Sequence, residues 1–161
     1  MKVLIIGSSN HTGEKIGKFL HSRKHIVYGA DRIEQAEDVK INKFFKLDLR
    51  NKDAMKFLFQ LSRPEMIVFC GNPLESKVSF VVVDYNYQIY LTMMVYAMVQ
   101  NVPKIIVVSG FEGDNPSNPI EVSWYAIGLL TEIFSKAFSL HSVVIYPKDN
   151  LFKNIKKFIE S

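Results

Sequence analysis

The sequence has a single cysteine and lacks a long apolar run, and both absences restrict the class of protein. With Cys70 alone, no disulfide can form within the chain, so a reducing compartment is expected. No stretch approaches the roughly 18 consecutive apolar residues of a membrane span, so we expect none. The first apolar run is too short for a signal peptide and is typical of a strand. The sequence therefore predicts a cytoplasmic protein.

Patterns for binding nucleic acid or metal are also missing. The net charge is only +4, and aromatic and basic residues do not alternate as they do in proteins that bind single strands. The four histidines have no metal-ligand spacing, and one cysteine adds no second ligand. We expect neither a nucleic acid partner nor a metal site.

Apolar strands alternate with helical stretches along all 161 residues, of which 48% are hydrophobic. We predict strands at 3–6, 26–30, 42–47, 66–70, 105–109 and 142–146. We predict helices at 13–22, 32–37, 52–62, 78–101, 123–139 and 150–160. Continuous Val, Ile and Phe runs are typical of parallel strands covered on both faces. The pattern predicts one α/β domain over 1–161, a doubly wound, Rossmann-like parallel sheet of order 3-2-1-4-5-6 without a separate substrate lobe.

The most informative segment is the turn that follows the first strand. Gly7 ends the apolar run, and Gly13 lies where helical periodicity begins. Backbone N–H groups of His11, Thr12 and Gly13 would then face a pyrophosphate at a helix N-terminus. Asn10 stands where a middle glycine would allow the closest approach, although its amide could itself donate to a phosphate. The alternative is an ordinary glycine-containing turn between a strand and a helix.

An acidic residue follows the second predicted strand. Asp31 lies 24 residues after Gly7, near the position where a carboxylate accepts hydrogen bonds from an adenosine ribose. Such a carboxylate repels a 2′-phosphate, which favours NAD over NADP. Arg32 could reverse that preference by pairing with the phosphate, so NADP stays possible. Alternatively, the two residues form a solvated pair at a helix start.

Taken in order, these residues resemble the short-chain dehydrogenase/reductase superfamily from Met1 to about Pro147. The resemblance extends to its branch of NAD-dependent sugar-nucleotide epimerases, dehydratases and reductases. It rests on the turn at 7–13, Asp31, Asp48-Leu49, Asn86, the strand at 105–109, Tyr125 and Glu132. Thr12-Gly13 is also similar to the turn of the small atypical NAD(P)H-dependent reductases.

The resemblance implies roles for further residues. Asp48 and Leu49 would lie beside the adenine, although Asp48 could equally be a helix cap or turn residue. Cys70 and Gly71 would line the nicotinamide half of the cleft, in what is otherwise a generic loop. Ser109 and Tyr125 would be the catalytic pair.

Two departures from the family pattern bear on activity. The family places a lysine four residues after the catalytic tyrosine, whereas Leu129 stands there in this sequence. Without a nearby ammonium, a tyrosine whose free pKa is about 10 is a poor acid near neutral pH. Extended family members also continue into a substrate lobe. We therefore expect the family catalysis to be weak or lost, and the alternative role for Tyr125 is an ordinary aromatic at a helix start.

Three functions remain open at this stage. The first is an NAD(P)-binding oxidoreductase-like protein with weak or lost catalysis and an unknown small-molecule substrate. The second is a non-catalytic, dinucleotide-responsive regulatory or interaction module. The third is a small atypical NAD(P)H-dependent reductase that needs no tyrosine–lysine pair.

The two long apolar helices predict association. Family members commonly dimerise through the helices that correspond to 78–101 and 123–139. We expect part of an aromatic and methionine set to face outward: Tyr85, Tyr87, Tyr90, Met93, Met94 and Tyr96. A homodimer is therefore predicted, with burial of this set in the core as the alternative.

Overall fold

The computed structural model describes residues 1–34, 40–71, 80–147 and 150–161, with residues 80–84 described as backbone only. The strands are β1 (Lys2–Ile6), β2 (Ile26–Asp31), β3 (Lys43–Lys46), β4 (Met66–Phe69), β5 (Lys104–Val108) and β6 (His141–Ile145). The helices are α1 (His11–Ser22), α2 (Lys52–Ser62), α3 (Phe80–Val99), α4 (Pro119–Phe138) and α5 (Leu151–Glu160).

The six strands form one sheet in the order β3-β2-β1-β4-β5-β6, and every neighbouring pair is parallel. This confirms the predicted fold class and strand order. β1 pairs with β2 on one side and with β4 on the other, so the order reverses between β1 and β4. The carboxyl ends of strands at such a reversal form the crevice in which open α/β sheets bind ligands.

Both faces of the sheet are covered by helices, as the continuous apolar strands predicted. Leu4 and Ile6 pack into a core formed with α2, α3 and α4. Val3 and Ile5 pack into a second core on the opposite face, with α1 and α5. This alternation follows from the two-residue period of a strand.

Two predicted helix starts differ most from the structure. At 32–37, Arg32 and Ile33 lie in a bend, while 35–37 fall outside the described residues. The side chain of Asp31 accepts the N–H of Arg32 at 2.7 Å, a local bond that competes with a helical start. α4 begins at Pro119 rather than at 123, because Asn118 caps its first turn and proline suits the first helical position.

The outward-facing set predicted on α3 is mostly buried. Tyr85, Tyr90, Met93 and Met94 are all within the core, because α2 and α4 cover this helix. Tyr90 donates its hydroxyl to Thr131 of α4 at 2.9 Å, and Thr131 in turn donates to a backbone carbonyl. Tyr87 and Tyr96 are only half-buried. In the described part of the chain, no helix is both long enough and apolar enough to cross a bilayer.

Candidate functional site

The loop after β1 touches the loop after β4 at two glycines. Gly7 has φ +82° and Gly71 has φ +62°, backbone conformations that side chains disfavour. A side chain at Gly7 would overlap the carbonyl oxygen of Gly71. The N–H of Gly7 donates to Ala30 at the end of β2, at 2.9 Å. Glycine is therefore required where the three strand ends meet.

Asn10 connects these loops through both ends of its side-chain amide. Its Oδ1 accepts the N–H of Gly13 at 2.7 Å, which caps α1. Its Nδ2 donates to the carbonyl oxygens of Gly71 at 3.1 Å and Cys70 at 3.4 Å. Only 5% of Asn10 is exposed. The side chain therefore fills the approach that a glycine would leave free.

The first turn of α1 has two unused backbone amides. In the described part of the chain, neither the N–H of His11 nor that of Thr12 makes a hydrogen bond, as is usual for first-turn amides. The third predicted donor, Gly13, already donates to Asn10. A side chain at Gly13 would overlap the carbonyl oxygen of Gly7, so the helix start is close to the strand end. Two of the three predicted amides thus remain open to a ligand.

Asp31 places a buried carboxylate next to this turn. One oxygen accepts the N–H of Ser9 at 3.2 Å, and the other accepts the N–H of Arg32 at 2.7 Å. Burial raises the pKa of Asp31, and backbone hydrogen bonds from Arg32, Ser9 and Ile33 oppose the rise. A carboxylate has four lone-pair sites, so one is left to accept a hydroxyl.

Tyr85 of α3 is covered by two arginines. The guanidinium carbons of Arg32 and Arg50 lie 5.0 Å and 5.1 Å from its ring centroid, within cation–π range. Arg50 also pairs with Asp48, with Nη2 to Oδ2 at 2.6 Å and Nε to Oδ1 at 3.0 Å. This pairing lowers the pKa of Asp48 and holds its carboxylate at the surface.

These elements enclose a cavity of about 10 Å³, the switch-point cavity. Its lining brings together four of the predicted residues: Gly7, Asp31, Leu49 and Gly71. Tyr85 and Ile89 close it from α3. The space holds about one water molecule. Asp48 is not among the residues that line it.

Cys70 contributes its backbone to this region. Its thiol packs into the core on the α1 and α5 side of the sheet, away from Tyr85. Burial raises the pKa of that thiol.

Ser109 and Tyr125 share a second cavity, of about 130 Å³, at the carboxyl ends of β5 and β6. We call it the Tyr125 cavity. Leu129 lines it too, at the position where the family lysine would stand. The hydroxyl of Ser109 donates to the carbonyl of Phe111 at 2.7 Å and accepts its N–H at 3.1 Å. Tyr125 is half-buried.

Sequence reasoning missed the residues that close the switch-point cavity. Tyr85 and Ile89 are four residues apart and therefore share one face of α3, a spacing that was visible in the sequence. Arg50 had no comparable signal, because its role depends on the loop after β3. Among the described residues, no cluster of three or more His, Cys, Asp or Glu side chains could hold a metal.

Comparison with known structures shows a shared fold. UDP-glucose 4-epimerase from Thermus thermophilus, solved with NAD, is 20% identical with a TM-score of 0.77, covering 89% of this chain and 54% of that one. A holo L-threonine dehydrogenase from Cupriavidus necator is 12% identical with a TM-score of 0.80, covering 91% and 54%. UDP-glucose 4-epimerase from Brucella ovis, solved with NAD, is 15% identical with a TM-score of 0.76, covering 89% and 50%.

The chain thus spans about half the length of these solved structures. No curated protein sequence shows significant similarity to it. The model of the NAD dependent epimerase/dehydratase family matches residues 3–123. Because that match takes in 121 of the 161 residues, the chain belongs to the NAD dependent epimerase/dehydratase family.

Proposed function

We propose that the protein binds a nicotinamide dinucleotide at the carboxyl ends of β1, β2 and β4, with weak or lost family catalysis. One observation carries the proposal. The unused amides of His11 and Thr12 begin α1 in the same loop whose Ser9 N–H bonds the buried carboxylate of Asp31. Helix N–H donors for a pyrophosphate thereby adjoin a carboxylate acceptor for ribose hydroxyls, which are the groups that NAD requires.

The carboxylate of Asp31 also favours NAD over NADP. The remaining lone pair of Asp31 would accept a ribose hydroxyl, and its charge would repel a 2′-phosphate. Arg32 is the residue that would support NADP instead, but its guanidinium lies over the ring of Tyr85. Leu49 would border the adenine, and the backbone of Cys70 and Gly71 the nicotinamide. The similar Thermus and Brucella epimerases were solved with NAD, which supports a dinucleotide as the ligand.

The proposed site has hydrogen-bonding groups for a nucleotide but little free volume. A cavity of about 10 Å³ cannot hold a nucleotide, so a bound nucleotide would lie outside it unless Tyr85 and Ile89 withdraw. The amide of Asn10 also occupies the approach to the pyrophosphate position. We therefore expect a lower affinity than in a relative with glycine at that position.

The Tyr125 cavity supports weak or absent hydride chemistry. A catalytic tyrosine needs a nearby positive charge to act near neutral pH. Leu129 supplies an apolar side chain instead, and none of the described residues lining the cavity is basic. The similar epimerases and threonine dehydrogenase make UDP-glucose and L-threonine the first substrates to test.

The closed cavity favours one alternative, a non-catalytic module that responds to a dinucleotide. In that case, withdrawal of Tyr85 on binding would be the response that a partner detects. A small atypical NAD(P)H-dependent reductase remains the third candidate, and oxidation of NADH or NADPH by carbonyl or flavin acceptors would identify it.

A thermal shift with NAD, NADH, NADP and NADPH tests the central claim. A ligand at 100 times its dissociation constant adds about 2.7 kcal/mol to the free energy of unfolding. We expect NAD or NADH to raise Tm more than the phosphorylated forms. If none of the four raises Tm, the proposal is refuted.

We further propose that residues 1–161 act as one cytoplasmic domain that forms a homodimer through α3 and α4. α4 carries exposed apolar side chains on one stripe: Val122, Leu129 and Ile133. α3 carries Val95 and Val99, exposed by 52% and 71%. α3 and α4 are neighbours, so both sets could meet a second copy.

A further inference from the structure

The Tyr125 cavity combines aromatic and acidic side chains in a way that the dinucleotide proposal does not use. Four aromatic residues line it: Phe111, Trp124, Tyr125 and Tyr146. Two carboxylates, Asp114 and Glu132, line it as well. Among the described lining residues there is no lysine, arginine or histidine. This composition points to a ligand of positive charge.

The aromatic wall is held in place by backbone contacts. A side chain at Gly71 would overlap the ring of Trp124, and one at Gly110 would lie 2.6 Å from its Nε1. Trp124 therefore packs against two glycines and is only 6% exposed. A cation over the face of an aromatic ring is attracted by the ring quadrupole, most strongly by tryptophan. A fixed ring offers that attraction at little cost in conformational entropy.

The size of the cavity limits the ligand. A volume of about 130 Å³ is roughly ten times the space that one water molecule needs in the same measure. That is too small for a nucleotide sugar but large enough for an alkylammonium ion. The cavity has free space beside Gly128, because a side chain at that position would meet no atom within 4 Å.

We propose that the Tyr125 cavity binds a small organic cation, such as an alkylammonium ion. The aromatic rings supply the walls, and the carboxylates of Asp114 and Glu132 supply the compensating charge. Leu129 makes this possible, since a lysine at that position would put a second positive charge in the same cavity.

Intrinsic fluorescence provides a direct test, because Trp124 is the only tryptophan in the chain. The protein is titrated with tetramethylammonium chloride at constant ionic strength, without added dinucleotide. We expect a saturable change in emission. Sodium chloride and tert-butanol, a neutral molecule of similar size, should give none. Since no nucleotide is present, the outcome is independent of dinucleotide binding.

Matched variants assign the binding to this cavity. Glu132→Gln should weaken tetramethylammonium binding about threefold, the effect of an exposed charge pair. Glu112→Gln removes the same charge from an exposed residue outside the lining and should leave binding unchanged. Leu129→Lys should weaken binding by more than about tenfold through like-charge repulsion, whereas Leu129→Met should not.

Three results would each overturn the proposal. The first is the lack of a saturable response to tetramethylammonium, and the second is an equal response to tert-butanol. The third is equal weakening by Glu112→Gln and Glu132→Gln, which would indicate a general charge effect. If Leu129→Lys does not fold, as judged by circular dichroism, the glutamate pair still decides the question.

Discussion

The side-chain nitrogen of Asn10 lies 3.1 Å from the carbonyl oxygen of Gly71, so one hydrogen bond joins the start of α1 to the loop after β4. The same side chain caps α1 through its oxygen. One residue therefore stabilises the helix start and occupies the approach to the proposed pyrophosphate position. Substitution of Asn10 should therefore change protein stability and nucleotide affinity in opposite directions.

Replacing Asn10 with glycine should raise NAD affinity and lower stability. Loss of the cap to glycine costs a few tenths of a kcal/mol, and loss of the bond to Gly71 costs about 1 kcal/mol more. Calorimetric titration with NAD and denaturant unfolding measure the two quantities. Asn51→Gly is the matched control, because Asn51 caps α2 but has no bond to the cleft loops. An affinity that rises equally in both variants, or in neither, would contradict the assigned position.

Shortening Tyr85 should open the switch-point cavity. Tyr85→Leu removes the ring that lines the cavity and contacts Arg32 and Arg50. We expect about 1–3 kcal/mol of destabilisation from the lost burial, with NAD affinity at least about threefold higher. Tyr96→Leu is the control, since Tyr96 lies farther along α3 and donates to Lys52 rather than lining the cavity. A loss of NAD affinity in Tyr85→Leu would show that the ring binds the ligand rather than excluding it.

The single thiol should report whether the core beneath α1 and α5 opens. Cys70 is 7% exposed, and burial raises the pKa of its thiol. Because the thiolate is the reactive form, alkylation of the native protein near neutral pH should be at least about a hundredfold slower than in denaturant. The rate should increase as pH rises, and Tyr85→Leu, on the opposite face of the sheet, should label at the wild-type rate. Rapid labelling of the native protein would show that this region is open in solution.

Restoring the family lysine should restore chemistry if Tyr125 occupies the ancestral position. Leu129→Lys brings an ammonium into the cavity that Ser109 and Tyr125 line, which favours proton transfer by the tyrosine. The readout is reduction of NAD with a panel of alcohol and nucleotide-sugar substrates. Phe152→Lys adds the same charge at an exposed residue on α5, outside the lining and the proposed dimer helices, and should have no effect on the rate. An unmeasurable rate in Leu129→Lys, despite retained NAD binding, would argue against a catalytic position for Tyr125.

A charged residue placed on the exposed apolar stripe of α4 tests the proposed homodimer. Ile133 is 58% exposed, so Ile133→Glu should cost little within one subunit and should dissociate the dimer. Phe152→Glu on α5 is the control, as Phe152 is an exposed apolar residue on another helix. Light scattering over a concentration series measures the mass. A wild-type monomer at the highest concentration would refute the dimer.

The fold was predictable because its signals are local and repeat along the chain. Continuous apolar strands, alternating with helical periodicity, predicted the parallel sheet and its order, and the sheet was found as predicted. The predicted helix starts were wrong where a single polar side chain determines where the helix begins. Asn118 starts α4 four residues early, and the carboxylate of Asp31 holds Arg32 in a bend.

The closed state of the site was not predictable in the same way. The sequence indicated that Asn10 would crowd the turn, but its bond to Gly71 joins residues 61 positions apart. Likewise, the contacts of Arg32 and Arg50 with Tyr85 depend on how two separate loops meet α3. Such contacts follow from tertiary packing, for which a single sequence gives no periodic signal.

Tyr85 and Ile89 close the switch-point cavity. Binding of a nucleotide there would therefore depend on the fraction of molecules in which the cavity is open. A ligand that enters only the open form has its affinity reduced by the fraction of molecules that are open. Each 1.4 kcal/mol by which the closed form is favoured weakens the apparent affinity about tenfold. Anything that displaces the first turns of α3, including a protein bound at that end of the helix, would therefore tune nucleotide binding without touching the nucleotide.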